Sequence, residues 1–270
     1  MPDVWARVPE LDAATQERLA GVLETRGTDP QQREMRETFF LADVPFPTDA
    51  HVLEVGCGTG VTTRALALWP DVGTMVGVDV APFLLSKARS LAQDLPNLTF
   101  READGRSLPF EDETFDVVVF DTTLTHVPGP ERALAEALRV LRPLGWLAIF
   151  DGDYATITVA IGDHDPLQDC VDALGGTFLH NRWLGRRLPA LVRGCGFETA
   201  RFRGYSYVET NEAEYMLTIV DRAIDTLHAS GHRSDEMAAA LKAAARERVE
   251  AGTFFGHIAY VSLAARKPSR

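Results

Sequence analysis

The stretch Leu53-Glu54-Val55-Gly56-Cys57-Gly58-Thr59-Gly60 decides the fold of this chain, because it is typical of a strand that runs into a glycine loop. The strand pattern covers residues 51–56, and a helical pattern begins near Gly60. Glycines let a backbone approach a ligand closely, and the N-terminus of a following helix offers free N–H groups and positive potential. The loop is therefore predicted to bind a ligand.

A second strand pattern, MVGVDV at 75–80, places an acid near this loop. Its Asp79 lies 19 residues after Gly60, where a carboxylate can accept hydrogen bonds from both hydroxyls of a ribose. The dinucleotide fingerprint G-x-G-x-x-G is incomplete, since its sixth position, counted from Gly56, is Val61. The pattern predicts a nucleoside site and weakens an NAD interpretation.

Strand and helix patterns alternate along the chain that follows. Further strands are predicted at 98–104, 115–121 and 146–152, and helices at 60–68, 82–94 and 130–141. This alternation predicts a parallel sheet with crossover helices. The central runs have almost no polar alternation, which is typical of strands covered on both faces.

The outer parts of the chain are richer in helical patterns. Residues 1–47 are predicted to be helical until Pro45 and Pro47 end the pattern. After Gly152 the expected helices lie at 166–174, 183–195, 212–229 and 234–251, and the expected strands at 198–209 and 254–265.

Composition limits the function classes. The 270-residue chain has a formal net charge of −12, which opposes binding to nucleic acid or to an anionic membrane surface. Three distant cysteines without a C-x-x-C pair favour neither disulfides nor a thiolate zinc site. We expect a cytoplasmic protein without a nucleic-acid partner, membrane insertion or bound metal. A homodimer is expected only because homodimers are the most frequent oligomers.

Residues 48–152 resemble the class I S-adenosylmethionine (SAM)-dependent methyltransferases, especially those of ubiquinone and menaquinone biosynthesis and their small-molecule relatives. Besides the loop and Asp79, further motifs match in the same order. They are Ala103-Asp104-Gly105, Leu108-Pro109-Phe110, the segment 122–128 with His126, and the turn Leu141-Arg142-Pro143-Leu144-Gly145.

The resemblance implies a Rossmann-like α/β fold, with a seven-stranded, mostly parallel sheet flanked by helices. It implies an N-terminal helical cap at 1–47 and a methyltransferase domain at 48–270. Insertions at about 155–182 and 211–252 would complete the cap over the cleft.

The same resemblance implies a set of residues that bind SAM and its product S-adenosylhomocysteine (SAH). The set comprises Glu54, Gly56, Cys57 through its backbone, Gly58, Gly60, Asp79, Val80, Asp104, Gly105, Asp121 and Arg36. Alternatives remain for several members. Asp79 and Asp104 suit helix N-caps, Glu54 suits a hydrogen bond that holds the loop, and Arg36 suits a helix surface.

His126 and Tyr154 are the candidate catalytic residues. A neutral imidazole near pH 7 can accept a proton from a hydroxyl or amine acceptor, although His126 also suits the lining of a pocket. Asp151, Asp153 and Tyr154, which follow the fifth predicted strand, are expected to face the cleft. The run Asp163-His164-Asp165 suits a polar loop better than a metal site, because no second histidine stands at ligand spacing.

The predicted function is methyl transfer to an O, N or C atom of a small-molecule metabolite, such as a secondary metabolite. A closed cap over an apolar pocket suits a small acceptor. Three alternatives stay open: methylation of a peptide or protein, a SAM-binding catalyst that does not transfer methyl, and, more distantly, an NAD-dependent dehydrogenase.

Overall fold

A computed structural model describes residues 3–177 and 180–269, with the backbone alone at 174–177. Within these ranges one sheet of seven strands runs through the molecule. The strands are β1 Ala50–Val55, β2 Val72–Asp79, β3 Leu98–Glu102, β4 Phe115–Asp121, β5 Leu141–Thr158, β6 Glu198–Glu209 and β7 Gly256–Arg266.

The strand order is β3-β2-β1-β4-β5-β7-β6. Strands β1 to β5 pair in parallel, and β7 runs antiparallel between β5 and β6. The order reverses between β1 and β4, and open α/β sheets bind ligands in the crevice at such a reversal, outside the carboxyl ends of the strands. The predicted seven-stranded, mostly parallel sheet is confirmed.

Helices cover both faces of the sheet. They are α1 Ala13–Thr28, α2 Pro30–Asp43, α3 Val61–Ala67, α4 Pro82–Leu91, α5 Pro130–Val140, α6 Pro166–Thr177, α7 Leu184–Gly194, α8 Glu214–Ala229 and α9 Asp235–Glu250. Short 3-10 turns lie at Trp5–Glu10 and Leu124–His126. Among the described helices none has the length and apolarity needed to cross a bilayer.

The sheet separates two apolar cores. Val117 and Val119 of β4 belong to one core, with Phe39 of α2 and Met216 of α8. The intervening Val118 belongs to the other, with residues of α5 and α7. Side chains of a strand alternate between faces, so the middle of a strand that is covered twice must be apolar, as residues 117–120 of β4 are.

Strand β5 differs from its predicted bounds at both ends. It continues to Thr158, so the predicted insertion at 155–182 begins inside a strand. At its start, Phe115 pairs with Leu141 and Val117 with Trp146, so the expected turn at 141–145 forms a bulge in which Leu144 has φ 67°. Arg142, ion-paired with Asp116 at 2.7 Å, fixes the bulge against β4.

Helix α1 lies over the carboxyl end of the sheet, where it packs against α3, α4 and α8. Ion pairs join Glu24 to Arg64 of α3 at 2.9 Å and Glu17 to Lys87 of α4 at 2.7 Å. The N-terminal helix thus covers the region of the glycine loop. The division into a cap and a domain stays a prediction.

Candidate functional site

A cavity of about 670 Å³ opens at the carboxyl ends of β1, β2 and β4. Its walls come from the glycine loop, the residues that follow the strands, the N-terminal segment and α8. Among the described residues of the predicted insertion at 155–182, none lines it. Because its walls include the N-terminal segment, the glycine loop and α8, the cavity brings together parts of the chain that are far apart in sequence.

The glycine loop is held against β2 by its own backbone. The N–H groups of Gly56 and Cys57 donate to the Val78 carbonyl at 2.8 and 3.0 Å. Gly56 and Gly58 have φ values of 74° and 54°, a region that favours glycine. A Cβ added to Gly58 would lie 2.7 Å from Cδ1 of Leu23, so α1 approaches the loop closely there.

Gly60 has a packing role and not a place on the cavity wall. It precedes α3 with φ 78°, and a Cβ there would lie 2.7 Å from the Phe100 ring. Unlike Gly56, Cys57 and Gly58, it does not line the cavity. Burial raises the pKa of the Cys57 thiol well above its ordinary value, which fits a contribution through the backbone alone.

Asp79 and Val80 lie on the cavity wall at the end of β2. The Asp79 carboxylate accepts hydrogen bonds from the N–H groups of Gly58 at 2.8 Å and Ala81 at 2.9 Å. Burial nonetheless raises its pKa. Asp79 thus links loop and strand end, and each carboxylate oxygen keeps capacity for a second donor.

Asp104 and Gly105 reach the same wall after β3. The guanidinium of Arg106 contacts the Asp104 carboxylate at 2.6 Å and lowers its pKa. A Cβ on Gly105 would lie 2.5 Å from Cγ1 of Val55, so a larger residue does not fit against β1. Asp104 therefore lies on the cavity wall, but its carboxylate is already ion-paired with Arg106.

Two buried acids lie at the carboxyl ends of neighbouring strands: Glu54 in β1 and Asp121 in β4. The hydroxyl of Thr63 donates to Glu54 and that of Thr62 to Asp121. Burial raises the pKa of Glu54 to about 8, and the nearby negative charge of Asp121 adds to the shift. Both residues line the cavity.

Two arginines lie near these acids, and one of them lines the cavity. Arg36 is buried behind Asp121, with Nη1 3.5 Å from the carboxylate and Nη2 donating to the Gly27 carbonyl at 3.2 Å. It does not line the cavity, whereas Arg26 does. The family resemblance implies Arg36 and not Arg26, for which the available sequence signal is a basic residue in the last turn of α1.

His126 and Tyr154 lie together on the cavity wall, with ring centroids 6.0 Å apart. His126 Nδ1 lies 2.8 Å from the buried Asp3 carboxylate, a partner that nothing in the sequence indicated. Burial alone would raise the pKa of Asp3, but its charge and hydrogen-bond interactions with His126 hold that pKa below its ordinary value. The N-terminal segment thus orients the imidazole.

Asp151 and Asp153, the two acids in the second half of β5, do not line the cavity. Asp151 accepts hydrogen bonds from the backbone and hydroxyl of Thr125 at 3.1 and 2.9 Å. Asp153 pairs with Arg186 at 2.7 Å. Of the three residues expected to face the cleft, only Tyr154 does so.

The described residues hold no group of three metal-ligating side chains. In the run 163–165, Asp165 pairs with Arg248 at 2.7 Å and accepts the N–H of Leu167 at 3.0 Å. This acid therefore fixes the start of α6.

Comparisons with known proteins were consistent with this geometry. Residues 53–149 match a family model described as a methyltransferase domain. The chain is 37% identical over 98 residues to a demethylmenaquinone methyltransferase of Tropheryma whipplei, covering 36% of this chain and 40% of that protein. It is 39% identical over 101 residues to a phosphatidylethanolamine N-methyltransferase of Cereibacter sphaeroides, covering 36% and 48%. The chain spans less than half the length of these curated relatives.

Solved structures share the fold. A (4+2)-cyclase superposes with a TM-score of 0.57 at 22% identity, covering 90% of this chain and 85% of that one. A Haemonchus contortus phosphoethanolamine N-methyltransferase in complex with SAM gives a TM-score of 0.54 at 18% identity, covering 87% and 52%. Such low identities show the fold alone.

Proposed function

We propose that the chain transfers the methyl group of SAM to an O, N or C atom of a small-molecule metabolite, because residues 53–149 match a methyltransferase domain model. SAH is then the product. The three free cysteines suit a reducing compartment, so we place the reaction in the cytoplasm.

One observation carries the proposal: unpaired atoms of opposite charge lie beside the glycine loop. Oδ1 of Asp121 and Nε of Arg26 are both buried, and neither has a hydrogen-bond partner among the described residues. Asp121 is close enough to raise the pKa of Arg26, although burial opposes that shift. An anion and a cation held apart in this way complement the ammonium and carboxylate groups of an amino acid.

The nucleoside part of SAM suits the neighbouring wall. Asp79 would accept the ribose hydroxyls, as expected for an acid that follows the second strand of such a sheet. Val80, Asp104 and Gly105 continue this wall and would surround the base. The methionine part would then extend along the loop toward Glu54, Asp121 and Arg26.

Bound SAM supplies a methyl group already activated by its sulfonium, so the residues of this chain mainly have to orient the acceptor and exclude water. Apolar side chains line the cavity; examples are Trp5 of the first 3-10 turn, Leu19 of α1 and Ile219 of α8. Because Asp3 holds Nδ1 of His126, Nε2 is the atom left to accept a proton from the acceptor.

A pair of ligands tests the site. SAH and 5′-methylthioadenosine share the nucleoside, but only SAH carries the amino acid group. We expect Arg26→Gln and Asp121→Asn each to weaken SAH binding at least tenfold, or about 1.4 kcal/mol, in calorimetric titration. Binding of 5′-methylthioadenosine should change by less than threefold.

Two further variants complete this experiment. Asp79→Ala should weaken both ligands, because each needs the ribose contact. Asp94→Ala, which removes an exposed acid three residues after α4, should weaken neither. Absence of SAH binding to the wild-type protein at millimolar concentration would contradict the proposed function.

A further inference from the structure

Helix α8 lines the cavity with three charged residues in one short stretch, Asp221, Arg222 and Asp225. The two acids are neutralised from outside by α9. Arg246 pairs with Asp221 at 2.6 Å and Lys242 with Asp225 at 2.5 Å. The charge that α8 leaves uncompensated at the cavity is therefore that of Arg222.

The guanidinium of Arg222 forms no ion pair with any described residue, and its Nε is shielded from solvent without a hydrogen-bond partner there. Leaving a charged group partly buried and unpaired costs stability, so such groups are usually paired. An arginine kept in this state on a cavity wall is typical of a ligand site. Its planar fork matches a carboxylate through two parallel hydrogen bonds.

Arg222 and Arg26 both line the cavity, but only Arg26 acts on the acids beside the glycine loop. Arg26 acts electrostatically on Glu54 and Asp121, beside the glycine loop. Burial raises the pKa of Tyr154 well above its ordinary value, and both Arg26 and Arg222 oppose that shift, whereas Arg222 is not among the charges that act on Glu54. Tyr154 in turn contacts His126, so Arg222 lies toward the proposed proton acceptor.

Besides the polar Thr218 and Thr226 of α8, apolar and aromatic side chains line the cavity around Arg222. Tyr215 and Ile219 precede it on α8, and Trp5 reaches the same cavity from the N-terminal segment. A ligand that fits this wall has an apolar or aromatic body and one anionic group.

We propose that the methyl acceptor is a small carboxylic acid, whose carboxylate binds Arg222 while its apolar body packs against Trp5, Tyr154 and Ile219. This inference rests on the proposed function, since it assigns the part of the cavity that SAM would leave free. It adds the chemical class of the acceptor.

Matched acids and primary amides test this assignment on the full chain loaded with SAH. The probes are benzoate, 4-hydroxybenzoate, phenylacetate and cinnamate, each titrated calorimetrically beside its amide. We expect at least one acid to bind ten times more tightly than its amide. Arg222→Gln should reduce that preference to less than twofold, whereas Arg132→Gln, which removes an exposed charge from α5, should retain it.

The SAH titration is done first on each variant, so that failure of the cofactor site is recognised separately. Arg222→Gln should bind SAH within threefold of the wild-type protein. A tenfold loss would assign Arg222 to the cofactor and overturn the inference. The inference also fails if no acid binds more tightly than its amide, or if Arg222→Gln keeps the preference.

Thermal unfolding of the ligand-free Arg222→Met variant gives a second readout that needs no probe ligand. A ligand-binding arginine that is unpaired in the free protein should leave the melting temperature unchanged or raise it when replaced. A fall of more than five degrees would show that Arg222 stabilises the fold, which would contradict the assignment.

Discussion

At the scale of single residues, the site keeps polar groups in positions that cost stability. Glu54 is buried next to a second acid, Asp121, and its main hydrogen-bond donor is the neutral hydroxyl of Thr63. Its pKa of about 8 means that the folded protein holds a proton that the unfolded chain releases near pH 4.5. The free energy of unfolding therefore falls as pH rises between these values.

Replacement of Glu54 by glutamine should remove this pH dependence. The amide oxygen still accepts from Thr63, but nothing has to ionise in the buried site. We expect the melting temperature of ligand-free Glu54→Gln to exceed that of the wild-type protein by more at pH 8 than at pH 5, with a contribution of up to about 1.4 kcal/mol per pH unit.

The control for that experiment is Glu102→Gln, which changes an exposed acid in β3. Its difference from the wild-type protein should stay the same across the pH range. An equal shift for Glu54→Gln at pH 5 and pH 8 would show that its pKa is ordinary.

At the scale of elements, helix α1 positions Arg26 and Leu23 over the glycine loop. It can approach α3 because residue 27 is a glycine: a Cβ there would lie 2.3 Å from Cγ1 of Val61. Gly21 on the same helix has no neighbour within 4 Å of the corresponding position. Comparison of alanine variants at the two glycines therefore separates the effect of packing on stability from the effect of helix propensity.

We expect Gly27→Ala to lower the free energy of unfolding by about 1–3 kcal/mol, because the added methyl group overpacks the α1–α3 contact. SAH binding should weaken as Arg26 moves. Gly21→Ala should stabilise the protein by up to about 1 kcal/mol, since alanine favours the helix. Urea unfolding and SAH titration measure both effects.

The double variant Gly27→Ala/Val61→Ala identifies the cause. Removal of the Val61 methyl groups gives the new Cβ space, so SAH affinity should return toward the wild-type value. If the double variant binds SAH no better than Gly27→Ala, the steric explanation is wrong.

At the scale of the whole molecule, the cavity depends on segments from both ends of the chain. The glycine loop and strand ends form one side, and α1 and α8 form the other. These two helices pack against each other above the carboxyl edge of the sheet. A ligand between these walls should therefore stabilise helices that lie outside the matched domain at 53–149.

Hydrogen exchange measures this coupling. With saturating SAH, we expect slower amide exchange in residues 13–28 and 214–229 as well as in the loop at 53–60, because ligand binding suppresses local opening of the elements that enclose it. Helix α5, at 130–140, packs on the face of the sheet opposite to α8, so its amide exchange should not change. Protection limited to the loop and to 79–105 would show that α1 and α8 do not close over the ligand.

Much of this protein follows from local sequence patterns. The strand runs, the glycine loop and Asp79 were predictable, because periodicity and backbone requirements act over a few residues, whereas Glu54 and Asp121 were implied by the family resemblance. The order of the elements then implied the edge of the sheet where the site would form. Bulge formation at 141–145 and extension of β5 to Thr158 were not predictable, since pairing with β4 and β7 decides them.

Only the tertiary structure decided which polar side chains meet. Asp3 orients His126 across 123 positions of sequence, and Arg36 contacts Asp121 across 85. Arg26 faces the cavity and Arg36 does not, although both are arginines on adjacent helices. Such choices depend on how closely α1 packs on α3 and α8, and that packing is the sum of many weak contacts that leave no local mark in the sequence.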